Sequence, residues 1–161
     1  MNRRRVFQIV AVASAVVAYA TVIVGGTVRS AGAGMGCGAD WPLCNGSIIP
    51  DLSDPETAIE FSHRVVALSA GIVFLLTLVL AFLWYRKDKR ILFLSVSSFL
   101  LVVAQALLGA LTVQTDLSPV LVTAHLAVGT ATFAAALALA LIALMHPPGT
   151  PADEESKTTA S

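Results

Sequence analysis

The chain has 161 residues, a one-domain length, of which 57% are hydrophobic and 12% charged. Soluble domains carry about 25% charged residues, so this composition excludes a disordered chain, a nucleic-acid binder and an ordinary cytosolic enzyme. Ten Lys and Arg against ten Asp and Glu give a formal net charge of +0, so what informs is where charge sits along a chain of mean hydropathy +0.83.

Four apolar runs, 6–28, 58–85, 91–113 and 119–145, each exceed the roughly 20 residues that cross a bilayer as a helix. Lipid cannot satisfy an open strand edge, which leaves helices as the only reading. The first run follows Arg3, Arg4 and Arg5 and contains Ala18-Tyr19-Ala20, the form of a signal-peptide cleavage site. It outlasts a signal h-region of about 7–15 residues, so it reads as an uncleaved span. The second run carries Glu60, His63 and Arg64 near its start and becomes strongly apolar only at Val65. Arg86, Lys87, Lys89 and Arg90 separate it from the third. The fourth is rich in alanine, including Ala124, Ala127, Ala131 and Ala134 to Ala136. Small residues let helices approach closely in lipid, and they also leave room for a flat cofactor. The tail 146–161, with Pro147, Pro148 and Pro151, reads as a disordered cytoplasmic end, and His146 beside it as an interfacial residue without a role.

Short inner connections make consecutive helices antiparallel. The predicted fold class is therefore all-α, an integral membrane four-helix bundle of up-down topology over residues 1–145. The clusters Arg3–Arg5 and Arg86–Arg90 place both termini and the second connection in the cytoplasm. The loop 29–57 and the turn 114–118 then face the extracytoplasmic side of the cell membrane. That side also gathers Asp40, Asp51, Asp54, Glu56, Glu60 and Asp116.

Ionisable groups inside a span are costly and usually face the bundle interior. His63 lies five residues into the second run and His125 six into the fourth. Both of these spans run from outside to inside, so both imidazoles sit about 8–9 Å below the outer mouth at 1.5 Å per residue. Two imidazoles at one depth on two helices suit the axial ligation of a haem iron. Separate structural histidines, each bonded to a neighbouring helix, are the other reading.

Glu60 precedes His63 by three and shares its helix face. It can accept a proton, orient the imidazole or hold a substrate. It can equally be a first-turn Glu favoured by the helix dipole. Arg64 is suited to pair with a haem propionate at the mouth or to anchor the helix by snorkelling. Cys37 and Cys44, separated by six residues, fit neither a C-x-x-C redox motif nor zinc spacing. On the oxidising side they can form a disulfide that staples the loop, or a redox-sensitive element near the site.

The series Gly25-Gly26-Thr27-Val28-Arg29, Gly32-Ala33-Gly34, Asp40-Trp41-Pro42-Leu43-Cys44 and Glu60-Phe61-Ser62-His63-Arg64, followed by His125 on the fourth span, resembles the haem A synthase family. Each piece is short, but their order and spacing over about residues 20–130 are specific. The resemblance implies a membrane oxidoreductase that converts haem O to haem A by successive oxidation of a ring methyl group, in the maturation of terminal oxidases. It implies haem b or haem O as the bound group, with His63 and His125 as the axial metal ligands. Glu60 becomes the acidic residue needed for turnover, and Cys37 and Cys44 the outer-loop cysteine pair; apart from the resemblance, Arg64 and Arg29 are read as cations at the wet edge suited to the propionates. The usual family protein has eight spans in two similar halves, and this chain has four. The missing half points to a homo-oligomer, with a haem O supplier and terminal oxidase assembly as further partners and no nucleic acid. A non-enzymatic b-type cytochrome or haem carrier remains open, as does one half of a hetero-oligomeric synthase.

Overall fold

The structure, a computed structural model, describes residues 2–145. The expected tail 146–161 and His146 lie outside them. Four helices, α1 (Arg3–Ser30), α2 (Pro55–Trp84), α3 (Lys89–Gln114) and α4 (Pro119–Met145), account for almost all regular structure, with one 3-10 turn at Ala33–Met35. All four are long and apolar enough to cross a membrane. Among the described residues there is no strand, only an isolated bridge between Cys44 and Ser47. The chain is an all-α, multi-pass membrane bundle.

Helix ends follow the capping residues rather than the edges of the apolar runs. Asn2 accepts from the Arg4 N–H, and Asp88 accepts from the N–H groups of Arg90 and Ile91. Asp54 caps α2, and Pro55 supplies a fixed φ suited to the first helical position. The helix therefore starts three residues before the expected 58. Polar Glu56 and Thr57 belong to its first turn, where an apolar run gives no sign of them.

Neighbouring helices pack as α1–α2, α2–α3, α3–α4 and α4–α1, which leaves α2 and α4 on a diagonal. The apolar core fills the half of the bundle near the α2–α3 turn. Phe7, Ala11, Phe74, Ala81, Tyr85 and Ile91 are buried there, and Phe7 packs on Tyr85 with ring centroids 4.5 Å apart. Buried Ala136, Ala140 and Ala143 bring α4 into this core, so these alanines serve close packing. Ser14 and Thr77 hydrogen-bond at 2.8 Å across α1 and α2, and the Gln8 side chain donates to the Ala143 carbonyl at 2.9 Å. On the outside of α2, Leu68, Ile72, Leu75, Val79 and Phe82 form an exposed stripe at helical spacing, suited to lipid.

The other end is capped by the loop between α1 and α2. Its backbone at Gly36 approaches the Glu56 carbonyl and Thr57 N–H so closely that a Cβ there would overlap backbone. The Thr57 hydroxyl donates to the Gly36 carbonyl at 2.7 Å. Gly34 meets Leu117 of the α3–α4 turn, with a Cβ position 3.0 Å from the leucine side chain. The two loops at this end thus touch above the bundle.

The Thr57 N–H donates to the Asp54 carboxylate at 2.8 Å, and the Thr57 hydroxyl shares its one hydrogen between that carboxylate, also at 2.8 Å, and the Gly36 carbonyl. Those bonds, the backbone one first, hold the Asp54 carboxyl below its ordinary 3.8. A carboxylate lowered by folding adds stability present above its unfolded value and lost as pH falls through the folded one. Acidification from about pH 5 to below about pH 4 should therefore lower the thermal midpoint more in the native chain than in Asp54→Ala. Equal losses in the two proteins would remove the cap from this account.

Candidate functional site

Toward the loop end, two imidazoles, a carboxylate and an amide enter the bundle interior. His63 of α2 rests against Gly25 of α1, where a Cβ would lie 3.1 Å from the ring Cε1. His125 of α4 rests against Gly109 of α3, with the corresponding distance 3.4 Å. Both contacts use the absence of a side chain to admit an imidazole between two helices. Gly25 lies five residues before the end of α1 at Ser30, and Gly109 five before the end of α3 at Gln114. The early start of α2 puts His63 eight residues from its helix end against six for His125, yet the glycine seats are level. Both are about 7–8 Å from the outer helix ends at 1.5 Å per residue.

The two rings lie on diagonal helices and within electrostatic reach of each other. The Nδ1 atom of each is buried without a hydrogen-bond partner. A buried polar nitrogen without a partner is costly, and His63 shows no tie to a neighbouring helix, whereas His125 meets the Gln105 backbone of α3. Among the described residues no three His, Cys, Asp or Glu side chains are grouped to hold a metal ion. A bare ion needs three or more protein ligands, whereas a haem iron takes its equatorial nitrogens from the porphyrin and needs one or two. The donor set and the unpartnered nitrogens fit a haem.

Glu60 sits one turn toward the loop from His63 and is buried, as is Thr57. Its Oε1 accepts from Arg64 Nε at 3.0 Å, in the favourable order of acid before base at i, i+4. The remainder of the Arg64 guanidinium turns to the loop. Its Nη1 donates to the Leu43 carbonyl at 2.7 Å and more loosely to that of Asp40 at 3.4 Å. Arg64 is thus held by the carboxylate and the loop carbonyls, while its Nη2 is buried without a hydrogen-bond partner. Arg29 is exposed in the last turn of α1, takes no part in that network, and stands one turn above Gly25 on the same face. It offers an exposed cation at this end of the bundle. Cys37 and Cys44 are fully buried or nearly so and joined in a disulfide.

Gln105, not singled out from the sequence, belongs to the same region. Its backbone lies beside His125, its amide reaches the position a Cβ on Gly129 would occupy, and its Oε1 is buried without a partner. A lone amide within an apolar run was the available signal. The glycines at 25 and 109 had no signal of their own, because which neighbour they face depends on helix rotation.

A family model described as a cytochrome oxidase assembly protein, COX15-CtaA, matches residues 8–58 and 51–161. Proteins named Heme A synthase from Bacillus mycoides (strain KBAB4), Bacillus cereus (strain AH187) and Bacillus anthracis (strain A0248) are each 39% identical over 119 residues, 73% of this chain. The chain spans 38% of the length of these curated relatives.

The glycine seats give a graded expectation. Gly25→Ala should displace the His63 ring by a few tenths of an ångström, while Gly109→Ala, with more room, should leave His125 nearly in place. In haem-loaded protein the first variant should alter the low-spin electron paramagnetic resonance spectrum more than the second. The reverse order would mean that these glycines do not seat the ligands.

Proposed function

The chain belongs to the COX15-CtaA family of cytochrome oxidase assembly proteins, and from that premise we propose that it acts in haem A synthesis, oxidising a ring methyl group of haem O to a formyl group. The observation that carries the reading is the pair of glycine-seated imidazoles at one level, each with a buried unpartnered Nδ1, beside a buried carboxylate. His63 and His125 hold a haem, either resident haem b or the substrate haem O. A bound haem iron supplies one-electron redox chemistry. The chain's own residues bind, orient and manage protons. Glu60 is the buried base available to take a proton released as a C–H bond is oxidised. Arg29, at the wet edge, fits an anionic propionate.

Four spans are half of the number expected for the family, and the relatives are nearly twice as long. A homo-oligomer in the membrane supplies the remaining half, packed through faces of small residues. The basic clusters Arg3–Arg5 and Arg86–Arg90 put the 29–57 loop on the extracytoplasmic side of the cell membrane, where a disulfide is stable.

Co-expression with a haem O source that lacks haem A synthase tests the reaction. Total haem, separated by chromatography and mass, should contain haem A or its hydroxylated intermediate. Glu60→Gln, which keeps a hydrogen-bond acceptor for Arg64, should bind haem and yield no oxidised product. Haem A from Glu60→Gln would remove the catalytic role of that residue. Bound haem with no oxidised product from the native chain would favour the cytochrome, carrier or hetero-oligomer reading. His63→Ala should lose or alter the low-spin spectrum, and an unchanged spectrum would reject it as an axial ligand. Crosslinking in native membranes should trap a homo-oligomer, and a strictly monomeric active protein would sink that part of the proposal.

A further inference from the structure

The carboxylate assigned to proton transfer is not positioned by its own helix alone. Arg64 Nε donates to Glu60 Oε1 at 3.0 Å, and the same guanidinium donates through Nη1 to the carbonyls of Leu43 and Asp40. Both carbonyls lie within the 37–44 ring closed by the disulfide. The side chains of Arg64 and Glu60 are only 15% and 7% exposed, so their contact is shielded from competing water. An arginine guanidinium is planar, permanently charged and rigid. A carbonyl that fixes one of its nitrogens also fixes the direction in which the others point.

The ring is in turn fastened to α2. Gly36, just before it, lies against the backbone of Glu56 and Thr57 and accepts from the Thr57 hydroxyl. The fixed chain of contacts therefore runs from the disulfide to the loop carbonyls, to the guanidinium, to the Glu60 carboxylate. Opening the disulfide lets the 38–43 segment explore conformations that the closed ring forbids, and it frees the carbonyls that hold Arg64.

We propose that Arg64 is a positioning residue whose geometry is set by the Cys37–Cys44 ring, so that the closed disulfide fixes the orientation of the Glu60 carboxylate. This rests on the reading of Glu60 as the reacting base. It assigns the cysteine pair a structural task at the site. It also gives Arg64 a role distinct from propionate binding. The ring has other fastenings, since the Asn45 N–H donates to the Cys37 carbonyl and the Asn45 amide to the Gly36 carbonyl. The experiment decides whether these suffice without the disulfide.

The full chain in membranes is compared with Glu60→Gln by infrared difference, which isolates the carboxylate bands of Glu60. The sample is then reduced with a phosphine, freed of reductant and measured again. Reduction should shift the Glu60 bands, and reoxidation should restore them, which separates the effect from misfolding. In Arg64→Ala the bands should already be shifted, and reduction should move them no further. Conversion of haem O should fall about tenfold in Cys37→Ser/Cys44→Ser and in Arg64→Ala, on the scale of one charge-assisted hydrogen bond. Combining the substitutions should cost no more than Arg64→Ala alone. Bands indifferent to reduction, or losses that multiply in the combined variant, would overturn the proposal. Full conversion by Glu60→Gln would instead defeat the assignment of Glu60 as the base, while the infrared coupling would still report on positioning.

Discussion

Polar side chains that enter an apolar span are either turned inward or bonded to their own helix, and the inward ones accompany the rotation of α1 and α2 in this bundle. On α2 the inward set is Thr57, Glu60 and, deeper, Thr77. With these inside, the opposite face shows the leucine, isoleucine, valine and phenylalanine stripe to lipid. On α1 Ser14 turns toward Thr77. Gly25, eleven residues on and three turns away at about 3.6 residues per turn, then faces α2 as well. The position of Gly25 against His63 accords with the rotation seen deeper in the membrane.

The bundle is consequently divided along its length. Near the α2–α3 turn, aromatic and small residues interdigitate around satisfied polar pairs such as Ser14–Thr77 and Gln8–Ala143, with the buried hydroxyls of Ser95 and Ser98 on α3 the unpartnered exceptions among the described residues. Toward the loop, the helices are separated by glycines, imidazoles and an amide, and several polar atoms lack partners. Leaving such atoms unbonded costs about 1–3 kcal/mol each, a strain the packed half has to offset. A bound group that ligates or bonds to them would relieve that cost, so ligand affinity and fold stability are linked at this end.

Spans were legible in the sequence because twenty-odd apolar residues have few alternatives. Their ends were less so: α2 begins at Pro55, not 58, because Asp54 and Pro55 make a good cap from polar residues. His63, His125 and Glu60 were legible because ionisable groups are rare in spans and their spacing is countable. The partners of Arg64 were not. They are backbone carbonyls of a loop folded over the helix, and no pattern of side chains announces them. Gln105 was overlooked because one amide among apolar neighbours carries less weight than a charge.

The two helix hairpins of this chain carry related but unlike sites. The α1–α2 hairpin and the α3–α4 hairpin each present a histidine against a glycine. Around that shared element the two halves are unlike. Three residues before His63 stands Glu60, and one after it Arg64; the same positions around His125 are Val122 and Leu126. A haem held between the rings would meet an ion pair and a disulfide-closed loop on one side. On the other it would meet the amide and backbone of Gln105 and an apolar helix face. A charged side suited to proton transfer and an apolar side suited to holding a ring are both supplied by four helices.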